Sequence, residues 1–285
     1  MRLKRLFVTI CAACLLMTGC GSDSGTDTKD PNSQATIIKL GMISHLNASE
    51  KQMEEYLFKV QEKTRAKVVN HVPVFFDSLS LMQLGIDSGK VDVISTYQSV
   101  ADYLISNNDK YELKQDEWIK GLADNFCFAV RKEDTQLKAD LDKVITDMKS
   151  DGSLDKLIND YVKNIDKDKA PPAIDIPKVD GAQTIKVGVT GDLPPLDYVS
   201  ADGKASGFNT ALLAEIAKRL NRNVEIIQIE SGARAAALNS DLIDVVFWAI
   251  LPVGDSLPSN IDKPDDLELS VPYFKDSVAH LQLKK

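Results

Sequence analysis

Short β-type apolar runs alternate with stretches of helical periodicity along most of the chain. Residues 37–43 form a first run, IIKLGMI, read as a strand. Met53, Tyr56, Leu57 and Val60 then repeat as one face of a helix. Asn47 with Glu50, or Ser49 with Gln52, supplies a capping box at its start. Residues 67–76 contain a second strand, broken by Pro73. A helix over 79–86 ends at Ser88-Gly89, a third strand covers 91–95, and a third helix starts at 100–106.

The alternation continues through the second half. Residues 126–130 read as a strand, followed by a helix carrying Leu137, Leu141, Val144, Ile145 and Met148. Gly152 ends that helix, and Leu154, Leu157, Ile158 and Tyr161 start another. Residues 166–183 form a charged linker with Pro171, Pro172 and Pro177. A strand over 185–189 is stopped by Gly191, Pro194 and Pro195, and Asp202-Gly203 marks a small hairpin near Tyr198. Phe208, Leu212, Leu213, Ile216 and Leu220 define the next helix. A strand over 224–229, a helix from 231 to 238 and a buried strand over 243–250 follow; a long loop over 251–267 then leads to a final alternating run over 278–283. Strands alternating with helices imply an α/β fold with mostly parallel sheets. Such sheets bind ligands beyond the carboxyl ends of their strands.

Composition and the N-terminus narrow the possibilities. The 285-residue chain carries a formal charge of −8, which argues against a nucleic-acid partner. Arg2, Lys4 and Arg5 precede an apolar stretch over 6–16 that is too short to span a membrane. Leu16-Met17-Thr18-Gly19-Cys20 and the polar tract after it resemble a bacterial lipoprotein signal, with Met17 where that motif usually has Leu; an ordinary secretory signal cut nearby is the alternative. On the first reading 1–19 is the signal peptide, Cys20 is lipidated and 20–35 is a flexible tether. Cys11 and Cys14 leave with the signal, so Cys127 is left alone, without an intramolecular disulfide, as a buried core thiol.

Three motifs carry a family resemblance. V-G-V-T-G-D-L-P-P-L-D-Y over 187–198, with D-G at 202–203 and G-F-N-T-A-L-L-A-E-I-A over 207–217, resembles the opening of bacterial extracellular solute-binding proteins of family 3, which serve polar-amino-acid ABC importers. Residues 128–162 resemble the C-terminal signature of the same family, and Leu269-Ser270-Val271-Pro272-Tyr273 resembles its S-x-P-Y segment. The resemblance implies a two-lobed type 2 periplasmic-binding-protein-like fold, each lobe a mostly parallel sheet flanked by helices. It also implies a monomer without cofactor or metal, anchored extracytoplasmically, that hands a small polar solute (an amino acid or related carboxylate) to a permease. The order is inverted here, because the C-terminal signature precedes the opening motif. Either the chain holds two degenerate domains in tandem, or it is circularly permuted. The permuted reading assigns 36–125 to lobe 2 and 126–165 to a hinge strand and helices packing on lobe 1. It makes 166–183 the linker, 184–277 lobe 1 and 278–285 the outgoing hinge strand. It expects Lys285 and the start of Ile37 on one side of the molecule near the hinge.

Both of the family's usual amino-acid handles are missing. The loop after Trp248 reads Leu251-Pro252-Val253-Gly254-Asp255, without the carboxylate-clamping Arg, and Tyr97 stands where the ammonium-binding Asp is expected. Ser231-Gly232-Ala233-Arg234 resembles the S-x-x-R of acidic-amino-acid binders, so Arg234 either pairs an anionic ligand group or is a solvated surface arginine. Trp248 is either a cleft wall or a core residue. Asp192 and Leu196 come from the Pro-Pro loop. Ser44, His45, Asn47 and Ser49 lie at a helix N-terminus, whose free N–H groups favour an anion. Tyr97 completes the candidate ligand set. His45 has no metal-spaced partner. Catalytic motifs of the H-E-x-x-H, C-x-x-C, G-x-S-x-G and P-loop types are absent. An enzyme on this fold, of dehydratase or lytic-transglycosylase type with Asp192 and Asp197 as its carboxylates, is one alternative; a ligand-sensing receptor module is the other.

The Cys20 reading has a direct consequence. In cells, Cys20→Ser is expected to move the protein from the membrane to the soluble fraction and to leave its signal unprocessed. Wild type and variant in the same fraction with the same mass would refute lipidation.

Overall fold

The computed structural model describes residues 37–64 and 69–285. The signal, Cys20 and the tether lie outside the described residues, as does the start of the expected 67–76 strand.

Thirteen strands and seven α-helices are described. The first half contains β1 (Ile37–Ile43), α1 (Glu50–Thr64), β2 (Asn70–Phe76), α2 (Leu79–Asp87), β3 (Val93–Tyr97), α3 (Gln98–Asn107) and β4 (Tyr111–Leu113). Next come β5 (Ala123–Arg131), α4 (Thr135–Ser150) and α5 (Ser153–Ile158), the last continued by a π-helical turn over Asn159–Lys163. The remainder holds β6 (Thr184–Val189), β7 (Asp192–Leu193), β8 (Asp197–Val199), β9 (Ala205–Ser206), α6 (Gly207–Leu220), β10 (Asn223–Gln228), α7 (Arg234–Asn239), β11 (Val245–Pro252), β12 (Leu267–Leu269) and β13 (Phe274–Leu283).

Ten strands join one mixed sheet in the order β10-β6-β11-β5-β13-β3-β1-β2, with β12 beside β5 and β4 beside β13. Each half of the sheet is a parallel trio closed by one antiparallel strand. In one half β10, β6 and β11 run parallel and β5 runs against β11. In the other β2, β1 and β3 run parallel and β13 runs against β3. The halves meet where Phe274–Ser277 of β13 pairs antiparallel with 126–123 of β5. Strands β7, β8 and β9 form a separate small sheet at the Pro-Pro loop.

Local chemistry explains the elements. Ser49 and Gln52 form the reciprocal capping box of α1: the Ser49 N–H donates to Gln52 Oε1 at 2.9 Å and the Gln52 N–H to Ser49 Oγ at 3.4 Å. Strand β2 runs unbroken through Pro73, contrary to the sequence expectation. It is an edge strand, paired only with β1, where a missing N–H is tolerated. Gly207 starts α6 with a φ of +88°, and a Cβ there would lie 2.7 Å from the Pro195 carbonyl oxygen. That approach lets the Phe208 and Asn209 N–H groups donate to the Pro195 and Leu196 carbonyls at 3.1 and 2.8 Å, so the first turn of α6 is capped by the loop itself. Strand β4 and strand β12 were not anticipated; each has only three residues, too few for periodicity to register.

Leu141, Val144, Ile145 and Met148 of α4 are buried, as is Leu154 of α5. Both helices pack on α6, and α4 also packs on β5. Arg219 and Arg222 near the end of α6 reach Ser153 Oγ at 2.9 Å and Asp140 Oδ2 at 3.1 Å. The linker is tied down at two points: Tyr103 of α3 donates to the Lys169 carbonyl at 3.2 Å, and the Ile174 N–H donates to the Ala205 carbonyl at 3.0 Å. Leu281 of β13 and Gly41 of β1 pair with Ile94 of β3 from opposite sides, so the chain's last strand and its first described strand flank one strand. The end of β13 lies away from the Phe274–Ser277 crossing, not near the hinge as expected, because β13 runs six further residues past the crossing.

This packing predicts how fragments behave. Residues 184–285 alone lack β5, the neighbour of both β11 and β13, and the helices that cover α6. The exposed apolar surface costs about 25 cal/mol per Å². The fragment is expected to melt without a cooperative transition in circular dichroism and to gain one on mixing with 36–165. A cooperative melt of each fragment, with no association on mixing, would contradict it.

Candidate functional site

The carboxyl ends of β1, β3 and β11 face one another across the β5–β13 crossing, and the segments after them close over a cavity. It encloses about 80 Å³ and is bordered by Ser44, His45, Tyr97, Arg234 and Trp248 among the expected residues. That volume accommodates several waters or one compact solute. Much of the remaining wall is apolar, with Met42, Met53, Leu57, Ile119, Ile250 and Val278.

Hydrogen bonds stitch the two halves together around it. Ser231 donates its N–H to the Asp77 carbonyl at 3.0 Å and its hydroxyl to the Phe76 carbonyl at 3.2 Å. The Gly232 N–H donates to Asp77 Oδ1 at 3.1 Å; a Cβ on Gly232 would sit 2.5 Å from that same oxygen, so the approach requires glycine. The Asn47 and Ala48 N–H groups both donate to the Ile261 carbonyl at 3.0 Å. The Ser80 N–H donates to Asp192 Oδ2 at 3.0 Å.

Arg234 is neither solvated nor free for an anion. It is 3% exposed. Its Nε donates to the Ser231 carbonyl at 3.0 Å, Nη2 to the Ser44 carbonyl at 2.7 Å and Nη1 to the Trp248 carbonyl. The guanidinium carbon also lies 5.9 Å from the Trp248 ring centre. Burial lowers its pKa, opposed chiefly by the charge of Asp262. Trp248 stacks on Phe126 at 5.5 Å and 9° and meets Tyr97 edge-on at 5.7 Å, so it is a cleft wall braced by the crossing strand.

Two carboxyl groups missed by sequence reasoning hold the site. Asp262 accepts from the Leu46 N–H at 2.8 Å and the Ile250 N–H at 2.9 Å, and its Oδ1 lies 3.1 Å from His45 Nδ1. Burial would raise this carboxyl, but His45, Arg234 and the Leu46 N–H outweigh it and hold the pKa below the usual range. Asp124 accepts from the Tyr97 hydroxyl at 2.8 Å; burial pushes it up to about 6, against the pull of Tyr97 and His45. Asp262 sits in the Pro-rich loop after β11 and Asp124 opens a strand, and neither position has a spacing that marks it. Trp118 and His280 also border the cavity. His280 lay inside the alternating run over 278–283, where its inward register was legible but its role was not.

Asp192, Leu196, Ser231, Asn47 and Ser49 do not border the cavity. Asp192 faces a separate open groove with Asp77 and Glu230. Leu196 is buried in the Pro-Pro loop, Ser231 is spent on the Asp77 and Phe76 carbonyls, Asn47 donates to the Asn260 carbonyl at 2.8 Å, and Ser49 serves the capping box. Asp197 is buried, pushed up to about 6 by burial, and accepts from the Gly191 N–H at 2.8 Å and the Thr190 hydroxyl at 3.2 Å, so it holds the loop's shape. Cys127 is fully buried, and burial pushes its thiol up to about 12, which leaves no nucleophile. Among the described residues no group of three His, Cys, Asp or Glu is placed to hold a metal, and no helix is long and apolar enough to cross a membrane.

Residues 185–252 match the sequence model of bacterial extracellular solute-binding proteins, family 3. The matched stretch contains the opening motif from which the resemblance was read. A probable histidine-binding protein of Campylobacter jejuni is 27% identical over 103 residues, covering 35% of this chain and 36% of that protein. The chain thus spans about a third of that relative's length. Among solved structures, the arginine-bound amino acid ABC transporter substrate-binding protein AbpA of Streptococcus pneumoniae is 12% identical, with a TM-score of 0.38 over 87% of this chain and 82% of that one. The methionine-binding protein MetQ is 12% identical, with a TM-score of 0.39 over 87% and 83%.

Asp124 makes the site pH-dependent. Its folded pKa lies above the roughly 3.9 of an exposed Asp, so the folded state keeps the proton to about pH 6 while the unfolded chain loses it near pH 4. The cost of ionising it in place therefore appears as pH rises through that window, on the order of 2–3 kcal/mol in full. The stability of wild type relative to Asp124→Asn should fall between pH 4 and pH 6, measured by urea unfolding. A flat difference would show that Asp124 ionises freely.

Proposed function

We propose that this protein is a solute-binding protein that captures a small polar solute between two lobes and delivers it to an ABC importer, anchored extracytoplasmically by a lipid on Cys20. The observation that carries this reading is the cavity itself. It is built from the strand ends of two similar half-sheets, and it is closed by single hydrogen bonds between segments from both. Two long strands, β5 and β13, join the halves, which suits rotation of one against the other. The family match over 185–252 supports the same class, and members of that class bind solutes without transforming them.

The lobes are proposed to follow a circular permutation: 36–125 as lobe 2, 126–165 and 184–277 as lobe 1, 166–183 as the linker between these two pieces, and 278–285 as the outgoing hinge strand. The repeated strand order supports it, since β10-β6-β11-β5 and β2-β1-β3-β13 are the same arrangement. The placing of β1 and β13 on either side of β3 supports it too, because the first described strand and the last strand are then only one strand apart. An amino acid or related carboxylate was the solute class implied by the resemblance. The engagement of Arg234 by three carbonyls weighs against a carboxylate clamp at that residue.

Gently purified protein should release a small molecule on denaturation, identified by mass spectrometry. Returning that molecule to stripped protein should raise the melting temperature and shrink the particle in small-angle scattering, with no turnover. Turnover of it, or no molecule and no compaction with any fraction of a cell extract, would overturn the reading.

A further inference from the structure

The Arg234 and Asp262 charges at the cavity are already matched, and Asp124 already holds a partner. Arg234 donates to three carbonyls and faces Asp262; Asp262 accepts two backbone N–H groups besides its contact with His45; Asp124 accepts from Tyr97. What stays open is of another kind. Four ring nitrogens of residues bordering the cavity are buried without a partner: Trp118 Nε1, Trp248 Nε1, His45 Nε2 and His280 Nε2. Buried polar atoms are nearly always paired, so four around one cavity call for an occupant.

Their chemistry is specific. An indole Nε1–H can only donate. His280 Nδ1 lies 2.6 Å from Asp116 Oδ2. Burial would raise Asp116, but His280 and Lys114 outweigh it and hold it low, so the carboxylate is the acceptor and Nδ1 carries the hydrogen. Burial also lowers the pKa of His280, more than Asp116 raises it, which leaves Nε2 bare and accepting near neutral pH. The rings of Trp118 and His280 meet edge-on at 5.3 Å. One unpaired donor and one unpaired acceptor thus belong to neighbouring rings of a wall that also carries Met, Leu, Ile and Val side chains together with Ser95, Thr96 and Tyr97.

Building on the solute-binding reading above, we propose that the cavity selects a small uncharged solute whose polar head both accepts and donates a hydrogen bond, a primary amide being the simplest case. Trp118 and His280 are its specificity-determining residues: the indole N–H donates to the head's oxygen, and the imidazole Nε2 accepts from its N–H or O–H. Trp248 Nε1 adds a second unpaired donor at the boundary between the halves. An anion, or the carboxylate of a zwitterion, would meet no free cation here and would lose its hydration on entry.

Four probes on one branched skeleton separate the classes: isovaleramide (uncharged), isovalerate (anion), isoamylammonium (cation) and L-leucine (zwitterion). Calorimetry on the full mature chain at pH 7.5 gives their affinities. Trp118 and Trp248 are the two tryptophans of the chain, so intrinsic emission reports on the cavity directly. Isovaleramide is expected to bind at least tenfold tighter than the three charged probes and to shift the emission. Trp118→Phe keeps the ring and removes the N–H, and should weaken the amide about tenfold. The probe comparison on wild type stands even if that variant folds poorly. A charged probe binding as tightly as the amide, no detectable amide binding, or full affinity in a folded Trp118→Phe would each overturn the proposal. In the first case, compaction with the charged probe would leave the solute-binding reading standing; only absence of any bound or copurifying solute would remove both.

Discussion

Four antiparallel residue pairs between Phe274–Ser277 of β13 and 126–123 of β5 hold the two half-sheets in one sheet. Every other feature depends on this crossing. Each of the two strands closes one parallel trio as its antiparallel neighbour, so neither half is complete without a strand that also belongs to the crossing. The same residues brace the site: Phe126 stacks on Trp248 and also contacts Tyr97 and Phe274. A ribbon of two strands resists stretching and shear through its hydrogen bonds, yet it can twist, and twist between neighbouring strands is the soft coordinate of a sheet. The cavity is therefore anchored on the one part of the molecule that both halves share.

Burying charge beside that ribbon is costly unless each group is satisfied. Arg234 and Asp262 solve this with backbone groups more than with each other: three carbonyls for the guanidinium, two N–H groups for the carboxylate. Those backbone groups come from both halves, since Ser44 and Leu46 follow β1 whereas Ser231, Trp248 and Ile250 belong to the segments around β10 and β11. The desolvated charges thus act as fasteners of the closed arrangement. Opening would return them to water and relieve the cost, so charge burial itself favours neither state strongly.

Much of the architecture was legible from periodicity. The apolar faces of α1, α4 and α6 and the runs of β1 and β6 each gave an element close to its observed bounds, whereas the run over 278–283 left out Phe274–Ser277, the part of β13 that makes the crossing. The misses have physical causes. Pro73 read as a strand break, since sequence does not tell an edge strand from a central one. Strands β4 and β12 are too short to have a period. At the site, Arg234 and Trp248 were found through the pattern around them, but the exposure of Arg234 depends on Ser44, 190 residues away in the chain. Asp262, Asp124 and Trp118 carry no motif. Their roles exist only once the crossing brings β3, β5 and the loop after β11 together.

The contacts that close the cleft bear on its function. The neutral ones are single hydrogen bonds that exchange with water on opening, about 1 kcal/mol net each, and those of Arg234 and Asp262 are charged, about 1.5–3 kcal/mol each. The apolar core has a part in each half, with Phe208, Leu212 and Ile216 on α6 and Leu40, Met82 and Ile94 at α2, and these parts join through Tyr97, Phe126 and Trp248 beside the crossing. A solute that pairs the unfilled ring nitrogens adds interactions only the closed form can make. On the proposed reading, the solute's fit to those atoms tips the balance between open and closed arrangements.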